Sequence, residues 1–140
     1  MSEDALLTTL LEASHAAVYG YGVLGARLDD VTRPSAVLAL DSHRARRDQL
    51  AARLRERGAP APVTEPVYDV AVAGSPDALA LAVRLEQGMS VRWRDLIAGV
   101  DDPALRALGL GGLTETAVRA AQWRLLAGVR PPTVALPGSA

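Results

Sequence analysis

The chain has 140 residues, 49% of them apolar, which suits one domain with a real core and excludes both a disordered chain and a two-domain protein. Cys is absent, so disulfides, thiolate nucleophiles and Cys-ligated metals are excluded. Against 16 acidic residues stand 15 basic ones, and the net charge of −1 gives no global pull toward nucleic acid or an anionic membrane.

The N-terminal MSEDALLTTL is acidic and lacks the cationic region of a secretory signal. No apolar run approaches the ~20 residues that span a bilayer. A soluble cytoplasmic protein is expected, with neither membrane nor nucleic acid as partner.

The first predicted helix covers about residues 2–28. Leu7, Leu11, Ser14, Val18, Tyr21, Gly25 and Leu28 recur at alternating spacings of four and three, a sustained helical seam. Ser2, followed by Glu3 and Asp4, suits its N-terminus. Gly20, Gly22 and Gly25 form a G-x-G-x-x-G string within that seam. A dinucleotide fingerprint needs a strand before the glycines and a helix after them. Here a helical period runs through them and a turn follows at Asp29-Asp30, so the nucleotide reading is rejected.

The second helix is predicted over 34–57, from Pro34 in its first turn to Gly58 as C-cap. Ala36, Leu40, His43, Arg47, Leu50 and Leu54 form its seam, with two polar residues at mid-stripe. Residues 58–75 hold three prolines and read as a long irregular connection. About 17 extended residues reach ~55 Å. A 23-residue helix is only ~35 Å long. The connection can therefore carry the chain back along a whole bundle, and residues 68–72 (YDVAV) are expected to lie extended on its surface.

The third helix is predicted over 76–99, with Ser75 as N-cap and Pro76 at the first helical position. Glu86 sits in the middle of its apolar face, between Val83 and Met89. The fourth is predicted over 103–127, kinked or split by Gly109, Gly111 and Gly112, with Glu115 and Arg119 as a surface pair. Residues 128–140 are Pro-rich and irregular. The fold class is all-α: a single domain, 1–140, built as a ferritin-like four-helix bundle with one long crossover between helices 2 and 3.

Five polar residues lie on or beside the seams near mid-helix: Ser14, His15, His43, Arg47 and Glu86. They are expected to meet as one buried polar layer, in which Glu86 accepts from Arg47 and the two imidazoles. His15, His43 and Glu86 also make a two-His-one-carboxylate set that suits Zn²⁺ or Fe²⁺. A di-iron centre needs more carboxylates, and Glu12-Ala-Ser-His15 is the one Glu-x-x-His string. Arg47 would place a cation beside the metal, so the structural network is favoured and no cofactor is expected, with Fe or Zn as the alternative. Ser14 and His15 cannot act as nucleophile and base, because neighbouring helical residues point ~100° apart. The HRARR run at 43–47 carries interleaved acids, Asp41, Asp48 and Glu56, and reads as a solvated face.

The segments HAAVYGYGVLGARL (15–28), HRARRDQLAARLRERG (43–58), LALAVRLEQG (79–88) and AAQWRLLAGVRPPTVALPG (120–138) together resemble an uncharacterised ferritin-like domain family of actinobacterial proteins, itself of unknown function. The resemblance covers nearly the whole chain. It implies a ferritin-like four-helix bundle, paired with a second copy, and no established activity. The family pattern has Glu where this chain has Ser14, which removes an inward-facing carboxylate. A non-enzymatic homodimer is the expected state, and nothing in the sequence specifies a substrate.

Overall fold

The computed structural model describes residues 1–64, 68 and 70–139. Among them are four helices and no strand: α1 (Glu3–Gly25), α2 (Arg33–Glu56), α3 (Ser75–Gly99) and α4 (Pro103–Leu126). Ser2 caps α1 by accepting from the amide of Ala5 at 3.1 Å. Asp102 caps α4 by accepting from that of Ala104 at 2.8 Å. The α1–α2 turn is tied by Asp29, whose carboxylate accepts from the amides of Val31 and Thr32. Gly58 ends α2 with a φ of 67°, the left-handed conformation of a helix stop. Helix α3 begins at Ser75 itself, behind Gly74, and has no side-chain cap.

Short turns make antiparallel pairs of α1 with α2 and of α3 with α4. Leu6 lies against Gly99, and Leu85 against Gly20, so α1 and α3 also run antiparallel. Helices α2 and α3 are therefore parallel, as the long crossover requires. That crossover tracks α1 from one end to the other. Ala59 packs beside the cluster of Leu6 and Leu54, Thr64 meets His15, Tyr68 meets Tyr19 with ring centres 5.4 Å apart, and Val72 reaches the far cluster. Of the YDVAV stretch expected to lie extended, Asp69 is outside the described residues.

Helix α4 runs unbroken through its three glycines. The expected kink is absent because two of them face α3 at close range. A Cβ at Gly109 would fall 2.7 Å from Ile97, and one at Gly112 would overlap the Trp93 indole. The missing side chains form a notch that Trp93 fills, and this packing outweighs the poor helix propensity of glycine.

The apolar core is in two parts. Leu7, Leu10, Leu11, Leu50, Leu54, Trp93 and Leu96 fill one end. Tyr21, Leu24, Ala36, Ala39, Ala82 and Trp123 fill the other. Each fully buried Leu contributes roughly 1.5–3 kcal/mol of transfer free energy. Between the two parts lies a buried polar layer: Ser14, His43, Glu86, Ser90 and Thr116.

Candidate functional site

Glu86 is the centre of that layer. Its helix carries it there on the same stripe as Ala82, Met89 and Trp93, and its side chain is 0% exposed. A bare carboxylate in such surroundings is costly, so donors must come to it. Three do, one from each other helix. Tyr21 of α1 donates its hydroxyl to Glu86 Oε1 at 2.5 Å. His43 of α2 places Nε2 at 2.9 Å from the same oxygen. Arg119 of α4 donates from Nε at 3.1 Å. Because an ionised carboxylate only accepts, Nε2 of His43 must carry the proton. Glu86 Oε2 is also buried, and it has no hydrogen-bond partner among the described residues.

Burial pushes the Glu86 carboxyl up, but the hydrogen bond and charge of His43, the Arg119 guanidinium and the Tyr21 hydroxyl outweigh it. The carboxyl lies below its ordinary value and is ionised. Burial, then the adjacent Glu86 charge, push the Tyr21 phenol upward, so it remains a donor. The Tyr21 ring stacks on His43 at 5.3 Å and lies 6.1 Å from Trp123, which fixes both partners of the carboxylate.

A second polar link sits one turn along. Ser90 Oγ lies 2.9 Å from both the Glu86 carbonyl oxygen and Thr116 Oγ1. Thr116 Oγ1 also lies 3.0 Å from the Gly112 carbonyl oxygen, which can accept its proton. Beside it, Arg46 of α2 reaches α4 with two hydrogen bonds to Glu115, at 2.6 and 3.1 Å, and covers the Trp93 ring at 5.7 Å.

Of the five residues expected to meet, the structure joins only His43 and Glu86. Ser14 is buried but donates to the Leu10 carbonyl of its own helix at 2.9 Å. His15, about 100° further round α1, turns to the crossover, where its ring nitrogens lie 3.3 and 3.4 Å from Thr64 Oγ1. Partial burial and the Arg47 charge lower its basicity, against the pull of Asp48. Arg47 points outward to Asp48 at 2.9 Å. The buried stripe of α2 runs through Ala36, Ala39, His43, Leu50 and Leu54, and Arg46, not Arg47, continues it toward α4.

The predicted trio of His15, His43 and Glu86 is thus not assembled. No group of three His, Cys, Asp or Glu side chains placed to hold a metal occurs among the described residues. The expected Glu115–Arg119 pair is also replaced, since each residue pairs across helices. Arg119 and Tyr21 are the members that sequence reasoning missed as site residues. Arg119 stands in the series Gly112, Thr116, Arg119, Trp123, whose spacing puts it on the core face of α4.

No helix among the described residues is long and apolar enough to cross a membrane. A crystal structure of a conserved hypothetical protein, rv2844, from Mycobacterium tuberculosis is similar to this one. The two are 32% identical with a TM-score of 0.85, over 89% of this chain and 96% of that one. No curated protein matches. The model of the family described as a domain of unknown function, DUF4439, matches residues 5–140. Matched over nearly its whole length, and sharing its bundle with that solved structure, the chain belongs to the DUF4439 family.

Proposed function

We propose that this is a non-enzymatic bundle of the ferritin-like kind, in which a protein-satisfied ion cluster stands where such bundles gather carboxylates for metal. One observation carries the reading: Glu86 Oε1 accepts from three other helices, and one donor is a guanidinium. A di-iron centre takes a Glu from each of two helices and a Glu-x-x-His from each of the others. The donor set here does not fit it. A metal cation at Glu86 would stand against the Arg119 cation, with His43 as its one imidazole. The crossover between α2 and α3 supports the ferritin-like assignment.

The domain then serves as a structural or interaction module. We further infer a cytoplasmic homodimer, supported by the absence of Cys and by apolar side chains such as Leu110 and Val118 that α4 leaves in water. Light scattering at micromolar concentration tests the dimer. A monomer there would remove that part of the reading.

The feature that favours metal instead is the unpartnered Glu86 Oε2. Elemental analysis after exposure to Fe²⁺ and then Zn²⁺, on protein made without tag or chelator, decides between the two. The expected result is metal at background. Close to one equivalent per chain, lost in Glu86→Ala, would overturn the proposal in favour of a reduced site at His43 and Glu86.

A further inference from the structure

Between α2 and α4 lies a groove of about 550 Å³, lined by Ser35, Leu38, Ser42, Arg119, Trp123 and Leu126 among others. The Arg46–Glu115 pair fixes the register of these antiparallel helices. In that register Ser42 stands level with Arg119 at one end of the groove, and Ser35 level with Leu126 at the other. Seven residues of α4, about 10 Å of helix, separate the two ends.

The groove is polar at one end only. Arg119 commits Nε to Glu86 and makes no other hydrogen bond among the described residues. Its terminal nitrogens are not among the buried unpartnered atoms, so they are open to solvent, although the side chain is only 13% exposed. The two Nη nitrogens, with four N–H donors, are thereby presented in a fixed orientation, because Glu86 anchors Nε. The Ser42 hydroxyl adds a further donor at the same level. Toward the other end, Leu38, Leu125 and Leu126 stand 71%, 47% and 46% exposed, over the buried face of Trp123. A second groove, about 630 Å³, lies between α3, α4 and the tail, but its Arg124 donates to the Pro132 carbonyl and offers no comparable head-group site.

We propose that the α2–α4 groove binds a small amphipathic carboxylate, its head on the Arg119 Nη nitrogens and Ser42, its apolar body along Leu38, Leu125 and Leu126. Charge selects a monoanion. A monoanion already adds a second negative charge beside Glu86, shared with the one Arg119 guanidinium, and a dianion would add a third. Planar two-point recognition suits a carboxylate. The ~10 Å of helix between the two ends matches a medium-length acyl chain, and a groove of this size lies in the usual range for small-ligand sites. The inference uses the Arg119–Glu86 geometry and does not depend on the absence of catalysis.

Calorimetric titration of the full chain with octanoate is the test, with octanol and inorganic phosphate as comparison probes. Octanoate should bind at one site per chain, and octanol and phosphate each at least tenfold more weakly. Leu126→Asp, an exposed change that leaves the Glu86 cluster intact, should weaken octanoate at least tenfold, and Arg119→Gln should abolish its preference over octanol. Three results would overturn the proposal: no octanoate binding at millimolar concentration, octanol binding equally well, or affinity unchanged in Leu126→Asp. None of these bears on the metal measurement.

Discussion

Gly112→Ala should destabilise the protein, although replacing Gly by Ala inside a helix ordinarily helps. The new methyl would overlap three indole atoms of Trp93, all well inside the 3.0 Å that real Cβ atoms respect. Restoring ordinary contact requires the indole to retreat by about 1 Å. Trp93 is 1% exposed and packed among Leu residues, so it has nowhere to go. Overpacking of this kind costs typically 1–3 kcal/mol, and the rigidity of the neighbour puts this case at ~3. Helix propensity returns about 1 kcal/mol. The net loss is ~2 kcal/mol, or about 8 °C in Tm for a chain of this size.

Gly22→Ala is the control, since nothing lies within 4 Å of a Cβ there. It should gain about 0.5–1 kcal/mol and raise Tm by ~3 °C. Thermal melts followed by far-UV circular dichroism measure both variants. If Gly112→Ala melts at or above the parent, the notch account of α4 is wrong.

Glu86→Gln should cost ~2–4 kcal/mol in urea unfolding, because it leaves the Arg119 charge without its partner in a buried cluster. That difference should depend on pH. The folded-state value of Glu86 lies below its ordinary one, so its stabilisation is complete above the unfolded value near ~4.3 and is lost as pH falls through the folded value. The urea midpoints of parent and Glu86→Gln should therefore stay apart at pH 7 and draw together as pH falls below the ordinary carboxyl range; midpoints that already coincide at pH 7 would count against an ionised Glu86. Arg119→Gln should destabilise by ~2 kcal/mol or more. Arg47→Gln, at a side chain whose one ion-pair partner among the described residues is exposed Asp48, should stay within about 0.5 kcal/mol of the parent. Equal losses in those two variants would contradict the cross-helix pairing.

The helices were legible because most of one seam survives: Leu7, Leu11, Ser14, Tyr21 and Leu28 are buried, whereas Val18 and Gly25 are half-buried and the neighbouring Ala17 and Leu24 take the buried places. His43 and Glu86 were legible as core polar groups for the same reason. The errors came at the edges of stripes. Arg46 and Arg47 are neighbours on a helix whose buried face lies between them, and the pattern cannot say which leans inward. Trp93 and Glu115 decide it, and both lie on other helices. The Glu115–Arg119 expectation failed through a local rule. Four-residue spacing favours an exposed pair by only a few tenths of a kcal/mol, whereas a buried carboxylate awaiting a donor demands far more. Tyr21 was placed correctly on the seam, but its hydroxyl matters as much as its ring.

The Glu86 cluster also bears on how the two halves of the molecule find each other. Tyr21 and His43 belong to the first helical hairpin, Glu86 and Arg119 to the second. Within the second hairpin alone, Glu86 has Arg119 but lacks two of its three donors; within the first, Tyr21 and His43 lack their acceptor. Apolar faces made of Leu and Ala tolerate sliding, because one small hydrophobe replaces another at little cost. Sliding the hairpins past each other by one turn, about 5.4 Å, would leave an ionised carboxylate in the interior with one of its three donors. The cluster therefore acts as a checkpoint on assembly: it contributes discrimination between alternative dockings more than net stability. Its apolar replacement should still yield helices, but helices with more than one way to pack.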